Sequence, residues 1–358
     1  MKPEKLLSKI NFKDPPNLQF LKRLTNRTGI IQHTKYAVPD RNFGYSVDDN
    51  ARALIMSILY YKLFGDEDVL DLAITFLSYT QHSRTSDSWF YNFMNYENKF
   101  LDHAKTEDGF GRCFWALGYA VYANPRRDIT LGAKHTIGEL KENIKKLISP
   151  RAQAYTLAGL YYLNESEPKN LENKAQIEFL AESLVAAYKK YSDKAWQWFE
   201  SYLTYSNAIF PYALILAYQA TGREEYLNIA KESLKFLEKE TTNKEGIPSP
   251  IGSNGWYIRG KSKATFDQQP VEAADMVIAY LALYKICFSA EYYEQALKWF
   301  AWYHGNNIKK VSVYDEVTKG CFDGINENGV NLNQGAESIV TYLLAYLAFS
   351  DIELKLKP

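Results

Sequence analysis

Five places in this chain gather carboxylates, amides and aromatic rings in the combinations that hydroxyl-rich ligands and acid–base chemistry require. In the first, Ser46, Asp48, Asp49 and Arg52 stand at the start of an apolar run. A carboxylate at a helix N-terminus is stabilised as the anion by free N–H groups, so Asp48 or Asp49 suits a general base or a hydroxyl acceptor. The same residues also read as a cap and an ion pair, because Ser46-x-x-Asp49 has capping-box spacing and Asp49 to Arg52 is an i,i+3 pair.

The second place holds Trp89, Glu107, Asp108 and Arg112, where a ring beside acids can stack on a sugar face while the carboxylates hold its hydroxyls. Asp102 and His103 lie there too, with no second ligand at helical spacing to make a metal site. In the third, Glu200 sits among Trp196, Trp198 and Phe199 just ahead of Asn207. One acid embedded in aromatics is a candidate proton donor, since desolvation raises a carboxyl pKa. The fourth is Asp267, Gln268, Gln269 and Glu272 around Pro270, which fits the first turn of a helix. The fifth is Asp323, then Asn333, Gln334 and Glu337, with Asn333 also readable as an N-cap. Trp256 adds a further ring on the loop before the fourth cluster.

The elements that must position these groups follow from hydropathy. Residues 51–64, 113–122, 152–163, 208–219, 273–288 and 338–349 are helix-length and apolar on nearly every side, and such helices are buried. Between them run segments with a single apolar stripe, such as Ile137, Leu140, Ile144 and Leu147. The inner starts are separated by about 40 to 65 residues, room for an inner helix, an outer helix and their loops. Six inner and six outer helices are expected, in one domain over residues 1–358. Gly65, Glu67, Asp68, Leu70, Leu72 and Ala73 recur in spacing as Gly222, Glu224, Glu225, Leu227, Ile229 and Ala230, the trace of a repeated unit. Residues 81–111, 243–270 and 306–334 read as long loops sharing one rim. The surplus of polar groups falls on the first, fourth, fifth and sixth starts, so an off-centre site is expected, with the third helix structural.

Charge and composition exclude several partners. Lys and Arg number 42 against 42 Asp and Glu, so no basic field attracts nucleic acid. No secretory signal and no span long enough for a bilayer is visible, and the chain reads as soluble and cytoplasmic. Cys113, Cys287 and Cys321 form neither a disulfide framework nor a zinc pattern. No cofactor or metal is expected. The oligomeric state has no sequence signal.

Four segments carry a family likeness: Gly44-Tyr45-Ser46-Val47-Asp48-Asp49-Asn50-Ala51-Arg52-Ala53, Trp198-Phe199-Glu200 with Tyr205-Ser206-Asn207-Ala208, Phe266-Asp267-Gln268-Gln269-Pro270-Val271-Glu272-Ala273, and Asn333-Gln334-Gly335-Ala336-Glu337-Ser338. Over about Leu18 to Ala348 the chain resembles a bacterial family of glycosidase-like proteins, found alone or fused to glycosyltransferase domains and often labelled glycosyltransferases. No nucleotide-sugar-binding α/β domain accompanies them here. More broadly the pattern is similar to the all-α (α/α)6 toroids, or six-hairpin barrels, of glycoside hydrolases, often inverting, and of some phosphorylases, lyases and epimerases.

The resemblance implies a carbohydrate-active enzyme, with glycoside hydrolysis by a carboxylate pair about 6.5 to 9.5 Å apart as the leading expectation. Asp49 and Asp267 are expected on the base side, and Glu200 or Glu272 as the acid. Asp48, Arg52, Glu107, Asp108, Arg112, Asn207, Gln268, Gln269, Asp323, Asn333, Gln334 and Glu337 are expected to bind an oligosaccharide, with Trp89, Trp198 and Trp256 stacking. A phosphorylase using rim arginines and a non-catalytic carbohydrate-binding protein stand as alternatives. The sugar 2-epimerases of this fold work through paired histidines, and none of His33, His82, His103, His135 and His304 lies inside the strongest clusters.

Overall fold

The computed structural model describes residues 3–102 and 106–355; His103 lies outside them. Six long helices form an inner ring: Val47–Phe64, Glu107–Ala123, Pro150–Ser166, Ile209–Thr221, Pro270–Cys287 and Ala336–Glu353. The outer layer is Gln19–Leu24, Asp68–His82, Arg127–Leu140, Leu171–Tyr191, Glu224–Glu240 and Ala290–Phe300. Each inner helix packs on the next, and the sixth returns to the first, closing the (α/α)6 toroid. Nearly every position of the fifth inner helix from Pro270 to Leu283 is buried, as a helix without a polar face must be. The first outer helix is only six residues long.

The recurring Gly65 and Gly222 motifs have a common local cause. Both glycines close an inner helix in the left-handed region, with φ of 71° and 72°, and turn the chain into the next outer helix. A second use of glycine joins the second and third inner helices. A Cβ at Gly118 would meet the Gly159 carbonyl oxygen at 2.3 Å, and one at Gly159 would meet the Phe114 carbonyl oxygen at 2.6 Å. The two backbones approach so closely that only hydrogen fits between them.

The long rim segments are tied to the inner starts by two-residue antiparallel pairings rather than by a sheet. Tyr45–Ser46 pairs with Phe93–Met94, and Tyr202–Leu203 with Tyr257–Ile258. Gln268 bridges Ile325, which binds the fifth inner start to the last rim loop. Cys113 and Cys321 are buried, and all three thiols are free. Among the described residues no helix is long and apolar enough to cross a membrane.

Candidate active site

All six inner helices begin on the same face of the ring, where a cavity of about 580 Å³ opens. The first helix turns Asp48 and Arg52 toward it, and the second turns Glu107, Asp108 and Arg112. Ser149 lines it from the third start, Tyr205 and Ser206 from the fourth, Gln269 and Val271 from the fifth, and Glu337 from the sixth. Asn92 and Trp256 complete it from the rim loops. Every start therefore contributes, and the second supplies more carboxylates than any other. This corrects the off-centre expectation: polar surplus along the chain measures how crowded a start is, not which way its side chains turn.

Arg112 organises one wall. Its Nη1 donates to Asp48 Oδ2 at 2.7 Å, its Nη2 donates to the Tyr155 hydroxyl at 3.1 Å, and the guanidinium lies over the Tyr155 ring at 4.6 Å. The Tyr155 hydroxyl donates to Ser206 Oγ at 2.6 Å, and Ser206 Oγ donates to Asp275. Asp275 lines a smaller chamber of about 40 Å³ beneath the cavity, which shares Arg52, Arg112 and Ser206 with it. Burial pushes the Asp275 carboxyl up to about 6. One turn beyond Asp48 on the same helix, Arg52 meets Glu337 at 2.8 Å and Asp49 at 3.6 Å. Asp108 accepts the Tyr205 hydroxyl at 2.6 Å and the Ser149 hydroxyl at 3.1 Å.

Several acids at the mouth serve as caps, because the first N–H groups of a buried helix need acceptors. Glu107 of the second helix accepts the Ile148 and Ser149 N–H groups, each at 2.7 Å, and so caps the third. Glu272 of the fifth accepts the backbone N–H of Ser206 and the Asn207 side-chain amide, and so caps the fourth. Its burial raises the carboxyl to about 7. Asp323 accepts Gly335 N–H at 2.6 Å and the Ser338 hydroxyl at 2.7 Å at the sixth start. Asp49 bonds the Ser46 hydroxyl at 2.6 Å and is raised by burial to about 6. It is absent from the cavity lining, whereas its neighbour Asp48 is part of it.

The remaining expected residues fall in three settings. Asp48, Arg52, Glu107, Asp108, Arg112, Trp256, Gln269 and Glu337 come together around the cavity. Glu200 is buried in an ion pair with Arg151 at 3.1 Å, behind the lining residue Tyr205 on which Arg151 stacks. Trp198 is fully buried against Phe199 and Phe210, where no sugar face can reach it. Gln268 is also fully buried, bonding Ser249 and the Thr265 carbonyl. Asn207 bonds the Thr204 backbone and Glu272. Trp89 packs on Phe110 and does not reach the cavity, and Asp267 is exposed outside it. Asn333 is no N-cap, since Gly335 holds that position; its Oδ1 accepts from Thr34, and Gln334 bonds Asp315 and Thr318. Asp102 accepts the Asn92 and Phe93 N–H groups and shapes its own loop.

Asn92, Ser149, Tyr205, Ser206, Tyr155 and Asp275 were not among the expected site residues. Asn92, Tyr205 and Ser206 lie inside the polar stretches that precede inner helices, so proximity to a start was their signal. Asp275 had a different one, a lone acid within an otherwise apolar helical run, one turn after Glu272. No described histidine lines the cavity, and among the described residues no group of three or more His, Cys, Asp or Glu is arranged to hold a metal ion.

No protein-family model matches this chain, and no curated relative matches its sequence. Solved structures do match over nearly the whole length. A cellobiose 2-epimerase from Bacillus thermoamylovorans aligns with a TM-score of 0.74 at 13% identity, covering 98% of both chains. A GH76 alpha-mannanase from Bacteroides thetaiotaomicron aligns at 0.69 and 12% identity, covering 99% of both. An unsaturated glucuronyl hydrolase specific for heparin aligns at 0.66 and 12% identity, covering 98% of both. At these identities the likeness is one of fold, and the chain has the six-hairpin toroid architecture of these enzymes.

Proposed function

We propose that this protein is a glycoside hydrolase whose acid and base are Asp108 and Asp48. The observation that carries this reading is that two carboxylates at adjacent inner-helix starts face one cavity, each held by neighbouring donors. Arg112 fixes Asp48 through Oδ2, while Asp48 Oδ1 is buried with no hydrogen-bond partner among the described residues. The Asp48 carboxylate, part of the cavity lining, accepts the proton of an attacking water. Asp108, oriented by Tyr205 and Ser149, protonates the departing glycosidic oxygen as the anomeric carbon–oxygen bond breaks. The water oxygen forms the new bond at the anomeric carbon, a single displacement with inversion. Trp256 supplies a ring for a pyranose face, and Arg52 with Glu337 binds hydroxyls.

Structures of this fold include both epimerases and hydrolases, so the cavity's residues must choose between them. A cavity rich in carboxylates and without a described histidine favours acid–base hydrolysis over proton abstraction by a histidine pair. Inorganic phosphate would find both cavity arginines already paired with acids, which favours water as acceptor.

The test is a screen of oligosaccharides and aryl glycosides with and without phosphate, followed by proton NMR of the first-formed anomer. Sugar release that is independent of phosphate, inverts configuration and falls at least about 10³-fold in Asp48→Asn and in Asp108→Asn is expected. Full activity in both variants, or release that requires phosphate, would overturn the assignment.

A further inference from the structure

The charge content of the cavity carries a statement about its substrate, one that rests on the glycosidase reading above. Four carboxyl groups line it, Asp48, Glu107, Asp108 and Glu337, against two guanidiniums, Arg52 and Arg112, so the net charge is minus two, or minus one while Asp108 carries its proton. Neither guanidinium is free: Arg112 is committed to Asp48 at 2.7 Å and Arg52 to Glu337 at 2.8 Å. The chamber beneath adds Asp275 and no further cation.

Unmet hydrogen-bonding capacity at the cavity comprises two donors, Arg52 Nη1 and Arg112 Nε, and two acceptors. Asn92 is nine-tenths buried and lines the cavity, yet its Oδ1 has no hydrogen-bond partner among the described residues. Asp48 Oδ1 is likewise without one. Both atoms are acceptors, and a buried acceptor without a donor costs free energy until a ligand supplies one. The two lie beside the same pair of helix starts, since the Asn92 carbonyl accepts the Val47 N–H and a Cβ at Gly109 would lie 3.9 Å from Asp48 Oδ1.

We propose that the site selects sugars by charge: it takes neutral glycosides, prefers those bearing a protonated amine, and rejects uronic acids and sugar phosphates. An ammonium offers three donors and a positive charge to the cavity's excess of carboxylates and to the Asn92 amide oxygen. A carboxylate or phosphate brings further negative charge into a cavity that already has a surplus of it, and its only countercharges are in ion pairs. Opposite charge adds affinity and like charge suppresses the wrong ligand.

Calorimetry and saturation-transfer NMR on the intact protein test this. The probes are methyl glycosides, methyl 2-amino-2-deoxyglycosides and methyl glycosiduronic acids, each in gluco, manno and galacto configuration. Within a binding configuration, the amine should bind at least about tenfold more tightly than the uronic acid, and the gap should narrow as salt is raised. Glu337→Gln reduces the net charge by one and should shrink the ratio by at least about threefold. A uronic acid that binds as well as the amine, or a ratio indifferent to both salt and Glu337→Gln, overturns the charge selection while leaving hydrolysis of glycosides standing. Absence of binding by every sugar in the set overturns both readings.

Discussion

Asp48 and Arg112 stand 64 positions apart on different inner helices, and their carboxylate and guanidinium meet at 2.7 Å with the arginine side chain 6% exposed. The contact joins two neighbouring helix starts at the mouth of the ring. It also fixes one oxygen of Asp48 and leaves the other, a buried one, without a hydrogen-bond partner among the described residues. In the mechanism proposed above, stability and chemistry share this pair.

Removing one member of a buried pair leaves the other charge without compensation. Arg112→Met is expected to lower unfolding free energy by about 3 kcal/mol, read from urea midpoints. Adding Asp48→Asn should restore at least about half of that loss. The double variant should remain without hydrolytic activity, which separates the structural share of the pair from its chemical one.

Glu200 and Arg151 make a second buried pair, outside the cavity lining. Glu200→Gln is expected to cost about 3 kcal/mol while kcat of the folded fraction stays within about twofold of the parent. A drop in kcat comparable to that of Asp108→Asn, at a temperature where both variants are folded, would return Glu200 to the chemistry.

Three buried acids make stability fall as pH rises. Burial raises Glu272 to about 7 and both Asp49 and Asp275 to about 6. The folded form thus holds protons that the unfolded chain has already released, so this stability is complete below about pH 4 and is lost as pH rises through 6 and 7. Buried His304, lowered to about 4, acts oppositely between about pH 4 and 6.5. Above pH 6.5 the acids act without that opposition. Tm should decline from pH 6.5 to 8, and Glu272→Gln should flatten the decline.

The close approach of the second and third inner helices admits no side chain at Gly118. Gly118→Ala is expected to destabilise by about 1 to 3 kcal/mol despite the better helix propensity of alanine. Gly138→Ala, at a helix position with open space around it, should be neutral or stabilising by less than about 1 kcal/mol. Thermal denaturation of the two variants side by side decides the point.

Much of this arrangement is legible in the chain before it folds. A helix apolar on all sides has nowhere to go but the interior, so six such runs separated by single-stripe helices determine a two-layer ring. Asp48, Arg52, Glu107, Asp108, Arg112, Gln269 and Glu337 could be picked as cavity residues because each lies at or beside the start of such a run. Trp198 misleads for a physical reason: a ring beside an acid reads the same whether it packs in the core or faces a ligand.

What the sequence by itself determined is the ring, the common face of its helix starts and the concentration of polar groups there. Only tertiary structure decided which acids turn into the cavity and which cap a neighbour. Asp48 and Asp49 are adjacent, and a helix points them about 100° apart, so which one faces the cavity depends on where the second helix lies. Glu272 caps a helix that starts more than sixty residues before it, and Glu107 caps one about forty residues after it. A cap across that separation depends on distance in space, and spacing along the chain cannot encode it.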